Sequence, residues 1–179
     1  EHRRSLFDSR LDQVGVTAVE VFLFRIIGGV AAAAVANHLF GALFAVLWFV
    51  AFAAEEAVTK VATWPVLRKT GPMSRTRRMV YVGSIFASSL VWSLLATRLW
   101  LTGDDGYRIA AMGLLAAMLT HAQAFSFRSP VALVAMTAAP SAVWVVLPVL
   151  YGGYSGAQLA TATAAVVMLL VYVAASARA

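Results

Sequence analysis

The residues that could do chemistry are few, and most of them stand inside apolar sequence. Glu55 and Glu56 are adjacent carboxylates in a long hydrophobic stretch, with Lys60 at i+4 from Glu56, the spacing of a helical ion pair. An ionisable group inside a membrane is costly and so is a functional candidate by default. A proton or cation relay would want a further acid deep in another apolar run, and none exists. If the helix leaves lipid near Ala54, both are ordinary interface carboxylates. His38 and His121 are the two histidines of the apolar region. Two imidazoles can ligate haem or a metal. Their positions predict a depth difference of about 18 Å at about 1.5 Å rise per residue, so joint ligation is not expected. Each reads as a hydrogen-bonding or interhelical histidine, with proton sensing as the alternative. Thr120, His121 and Gln123 form the most polar patch within an apolar run. They would serve as interhelical glue or mark a small-molecule pocket.

Other chemistries lack their residues. Asp104 and Asp105 in a glycine-bounded turn are too few ligands for a calcium loop. Cysteine is absent, which removes disulfides, thiolate catalysis and sulfur metal sites. No phosphate-binding glycine loop, nucleophile elbow or helical metal-binding histidine pair occurs. No catalytic residue, metal or cofactor is expected for this chain. Trp48, Trp64, Trp92, Trp100 and Trp144 read as interface anchors or helix packing.

The elements that must carry these residues follow from composition. Of 179 residues, 61% are hydrophobic and 12% charged, with a mean hydropathy of +0.82. Average soluble domains are about 25% charged, and a chain of this length leaves about a third of its surface exposed. Lipid is the solvent that accommodates the remainder. The net charge of +6 is concentrated. Lys60, Arg68, Lys69, Arg75, Arg77 and Arg78 crowd one connector, which favours a topology determinant in contact with anionic head groups. No basic face alternates with stacking aromatics, so nucleic acid is not an expected partner.

The predicted fold is an all-α integral membrane protein, with six transmembrane helices in three antiparallel hairpins and both termini cytoplasmic. A polar, basic tail covers residues 1–13, with Arg3, Arg4 and Arg10. Spans are expected at about 21–37, 42–58, 80–96, 109–125, 131–150 and 157–173, with a basic cytoplasmic loop at 59–79. A single polytopic domain thus covers 14–179. The first turn is Asn37 to Gly41. Parity supports it, because tail and central loop are both basic and an even number of spans must separate them. Arg25 would then snorkel from one turn inside span 1. Pro65, Gly71 and Pro72 are expected to end helix and open the central loop. Gly152 and Gly153 fall in the last outer turn. Of the 14 Lys and Arg residues, all but Arg98 and Arg108 fall on the inner side, Arg178 included, which sets the orientation. The opening on Glu and the stop just after the last apolar run predict a piece of something longer, or a chain whose ends were not seen.

The run LWLTGDDGYRIAAMGLLAAMLTHAQAFSFRSP, Leu99 to Pro130, resembles the six-span amino-terminal membrane region of alphaproteobacterial (hybrid) sensor histidine kinases. The order of basic tail, apolar hairpin, basic loop and four further spans is similar along nearly the whole chain. The resemblance implies a sensor or anchor region in the bacterial inner membrane, relaying a signal to a cytoplasmic output beyond Ala179. The full-length protein would then be a kinase and a homodimer, while this chain carries no catalytic residue. The first alternative is an accessory subunit of a larger membrane complex, in which Phe44, Trp48 and Trp92 face other membrane subunits. The second is a small transporter with a polar cavity between broken helices, hinted at by Pro140 and Gly28-Gly29.

Overall fold

A backbone in lipid must satisfy its polar groups internally, and helices do so within one segment. The computed structural model describes residues 6–126, 128–151 and 154–176, and its regular structure there is helix throughout. The order is α1 (Leu6–Glu20), α2 (Phe22–Phe40), α3 (Ala42–Leu67), α4 (Arg75–Trp100), α5 (Asp105–Ser126), α6 (Pro130–Tyr151) and α7 (Gly156–Ser176). Helices α2 to α6 are each long and apolar enough to cross a membrane, and α7 carries an apolar stretch over Gly156–Met168. Arg3, Arg4, Gly152, Gly153 and Arg178 lie outside the described residues.

The breaks between helices have local causes. Gly41 sits at φ 85° and ψ 165°, a conformation essentially restricted to glycine, so α2 and α3 part at one residue. After α4 the chain turns at Gly103, and Asp104 caps α5 by accepting the Tyr107 N–H at 3.1 Å. The helices overrun the expected spans. The basic connector shrinks to residues 68–74, because α3 continues to Leu67 and α4 starts at Arg75. Pro65 lies inside α3 instead of ending it. The Val61 carbonyl, which proline cannot serve, accepts a hydrogen bond from Arg77 Nη1 at 2.6 Å.

The chain divides into two compact units, Glu1–Val91 and Trp92–Ala179. In the first, α2 and α3 pack antiparallel. Arg25 meets Glu56, and four residues further along α2 Gly29 meets Phe52, four residues back along α3. A Cβ at Gly29 would overlap the Phe52 ring, whereas Gly28 faces open space. Trp48 stacks on Phe52 at 5.7 Å and donates its indole N–H to the Val91 carbonyl at 2.8 Å. Trp48 is 2% exposed, so it packs within its own bundle.

The expected polar tail is helical from Leu6. Leu11 and Val14 are buried, and Gly15 lets α1 lie against Thr63 and Met73. Asp12 and Asp8 meet Arg78. The polar residues of this stretch from Asp8 onward are thus the outward and ion-paired faces of a docked helix.

In the second unit, Ala111, Leu115, Leu119, Ala122 and Ser126 form one buried stripe of α5. Leu133 and Met136 of α6 pack at its far end against Ala122. Pro140 and Pro148 lie within α6 and are buried. Throughout the molecule hydroxyls turn back on their own helices. Ser84 donates to Tyr81 O, Ser89 to Phe86 O and Thr97 to Ser93 O, each at 2.8 Å. Thr137 donates to Leu133 O and Thr161 to Ala157 O, each at 2.9 Å. The outward faces of α2 and α3 are apolar, with Phe24, Ile27, Leu43 and Leu47 exposed, as lipid-facing surfaces are.

Candidate functional site

The main polar feature of the first unit is a buried charge cluster where α2, α3 and α4 meet. Arg25 enters from the first turn of α2. Its Nη2 lies 2.5 Å from Glu56 Oε1, 3.7 Å from Glu55 Oε1 and 3.3 Å from Ser88 Oγ. Glu55 and Glu56 are 5% and 2% exposed. Ser88 of α4 stands beside the Glu55 carboxylate. Neither Glu55 oxygen has a geometrically sound hydrogen bond. The cluster lies about 22 Å along α3 from Gly41, at about 1.5 Å per residue.

A polar seam continues from it along the α3–α4 contact. Thr59 donates to Ser84 Oγ at 2.8 Å, and Thr63 donates to Thr59 O at 2.8 Å. Thr59, Thr63, Ser84 and Ser88 are all buried. They fall at helical spacing on α3 and α4, so each helix offers one polar strip to the other.

Two carboxylates face one guanidinium here. With all three ionised, the cluster carries one uncompensated negative charge out of water. Burying a charge is tolerated only with pairing and hydrogen bonds. Glu56 has the close partner and Glu55 lacks one. One proton, or one small cation, would balance the site.

The expected Glu56–Lys60 pairing is replaced. Glu56 turns to Arg25, and the Lys60 ammonium lies 4.7 Å from the centre of the Phe22 ring. Arg25 therefore does not reach for the interface. It is drawn inward by the two acids of the antiparallel neighbour.

The other candidates are placed as follows. His38 is exposed in the last turn of α2. On α5, the Thr120 hydroxyl bonds its own helix at Ala116 O, at 2.9 Å, and does not cross to a neighbour. His121 lies against Phe125 with ring centres 4.5 Å apart, and Gln123 is half-buried two residues on. Asp105 pairs with Arg108 at 3.2 Å, and Asp104 serves as the cap of α5. Among the described residues, no three His, Asp or Glu side chains gather as a metal site. Helix α2 runs unbroken through Gly28 and Gly29, and α6 through Pro140. The glycine pair thus opens no gap in α2, since Phe52 occupies the face of Gly29.

No protein-family model matches the chain, and no characterised protein or solved structure matches it either. By the length and composition of its helices, the chain is a multi-pass, all-α membrane protein.

Proposed function

We propose that the chain is the membrane-embedded sensor or anchor region of a signalling protein, of the kind that feeds a histidine kinase. The observation that carries this is the charge imbalance at Arg25, Glu55 and Glu56. A sensor needs two states of similar free energy, and a buried cluster that is one charge out of balance supplies two. With Glu55 ionised, Arg25 is shared between two carboxylates. With Glu55 neutral, Arg25 belongs to Glu56 alone. Each state favours a different seating of α2 against α3 and α4. Helix α1 reads that seating, because it is tied to α4 through Asp12–Arg78 and packs on α3 at Gly15.

In this reading six spans form three antiparallel hairpins in a bacterial inner membrane, with both termini and the basic connector cytoplasmic. The distribution of Lys and Arg supports that orientation. The chain works as a homodimer, and α7 carries the output. The resemblance of Leu99–Pro130 to sensor-kinase membrane regions supports the choice of output.

Two measurements test the proposal. The coding sequence beyond Ala179 should continue into a helical linker and a phospho-acceptor histidine; a stop within a few codons sinks the kinase output and favours the accessory-subunit reading. Reporter fusions at Thr70 and Ser155 should report opposite faces of the membrane, with Thr70 inside; the reverse would sink the orientation.

A further inference from the structure

A groove of about 490 Å³ lies between the connector ends of α3 and α4, within the first unit. Ala57, Val58 and Val61 of α3 and Val80 of α4 make its apolar walls, and Thr76 and Arg77 stand at its polar end. Val58, Val61 and Val80 are exposed, so the groove opens to lipid. Ala57 lies ten residues before the end of α3 at Leu67, about 15 Å at about 1.5 Å per residue. That depth is about half of a bilayer hydrocarbon core of about 30 Å. The groove therefore runs the depth of one leaflet, polar at the connector and apolar below it.

Cations gather at the connector end. Arg77 Nη1 is held on the Val61 carbonyl, which keeps the guanidinium beside the groove and leaves Nε and Nη2 for other acceptors. On α3, Ala57, Val61, Trp64 and Arg68 fall at i, i+4, i+7 and i+11, one stripe of the helix. The Arg68 guanidinium lies 4.5 Å from the centre of the exposed Trp64 ring, so a second fork closes the same stripe. Arg75, Thr76 and Arg77 form the first turn of α4, the end of a helix that attracts anions. Among the described residues, no carboxylate pairs with Arg68, Arg75 or Arg77, since Asp8 and Asp12 both go to Arg78.

These features narrow the occupant. A free anion would leave Val58, Val61 and Val80 uncovered. A zwitterionic lipid would bring its own ammonium against three cations. A lipid with net negative charge covers the valines with a chain and offers the guanidinium forks its phosphate oxygens.

We infer that this groove holds one anionic phospholipid, its phosphate between Arg77 and Arg68 and one acyl chain along Val61, Val58 and Ala57. The inference needs the membrane setting of α3 and α4 and is independent of the signalling output proposed above.

The test is native mass spectrometry of the full chain in detergent, titrated with dioleoyl phosphatidylglycerol, dioleoyl phosphatidylcholine and inorganic phosphate. One phosphatidylglycerol should be retained, at least about fivefold more tightly than phosphatidylcholine. Arg68→Gln should weaken it by about fivefold. Ala57→Phe, which fills the groove and keeps every charge, should weaken it by about as much. Lys69→Gln should leave it unchanged, because Lys69 lines a separate hollow against α1 with Ser9 and Asp12. If a variant fails to fold, the comparison of the two lipids on the unaltered chain still decides. Equal retention of both lipids would overturn the inference. So would equal weakening by Arg68→Gln and Lys69→Gln, which marks diffuse charge attraction, or a folded Ala57→Phe that binds as well as the unaltered chain. Displacement of phosphatidylglycerol by inorganic phosphate at equal concentration would overturn the lipid in favour of a free anion.

Discussion

Arg77 Nη1 donates to the Val61 carbonyl at 2.6 Å, across the basic connector from α4 to α3. Val61 is four residues before Pro65, so its carbonyl is the one that a proline leaves without a helical donor. Arg77→Leu should therefore fray α3 beyond Val61, at a cost of about 1 kcal/mol. Amide exchange over residues 62–67 would show the loosening. Adding Pro65→Ala should restore protection, because the substituted residue supplies the missing N–H. Loosening that persists in the double variant would mean that Arg77 acts elsewhere.

Arg25 should be the most damaging single charge to remove. Arg25→Leu leaves two buried carboxylates without a counter-charge, and breaking a buried pair in this way costs about 3–5 kcal/mol. Thermal unfolding in detergent should show a large drop in midpoint. Replacing Arg25, Glu55 and Glu56 together by Leu should recover most of it, since buried ionic groups exchanged for packed apolar ones are often neutral or better. Glu55→Gln, which keeps the shape and removes the excess charge, should not destabilise.

The two adjacent glycines of α2 should respond oppositely. Gly29→Ala drives a methyl group into the Phe52 ring and should cost about 1–3 kcal/mol. Gly28→Ala meets open space and should be neutral or mildly stabilising, as alanine is the better helix former. Phe52→Leu in the Gly29→Ala background should relieve the clash. Unfolding midpoints of the three proteins decide this.

Asp12 accepts two hydrogen bonds from Arg78, from Nε and Nη2, each at 3.0 Å. Asp12→Asn removes the charge from this paired geometry. Helix α1 should then become cleavable by limited proteolysis at Arg10, with the midpoint of the remaining bundle little changed. High salt should mimic the variant in part, because screening weakens a pair this near the surface.

The α2–α3 break was legible in the sequence, and so was the register it sets. Counting outward from Gly41, Arg25 stands sixteen residues to one side and Glu56 fifteen to the other. An antiparallel fold at that glycine brings them level. Pairing rules along a single helix pointed to Lys60 instead, because i,i+4 spacing says nothing about the neighbouring helix. Helix α1 was hidden for a different reason. Its buried face is narrow, chiefly Leu11, Val14 and Gly15, and the ion pairs of Asp8 and Asp12 have partners some seventy positions away.

The hydroxyls of Thr97, Thr137 and Thr161 spend their donors on carbonyls of their own helices, so those donors fasten nothing to the next one. Bonds between neighbouring helices are made by other groups, among them Arg25, Trp48, the Thr59–Ser84 pair and Ser126 with Met136, and between these points the apolar stretches meet through shape. Surfaces in such contact can slip past each other by a fraction of a turn with no latch to undo. The cross-helix bonds are then the places where any such movement would be stopped or released.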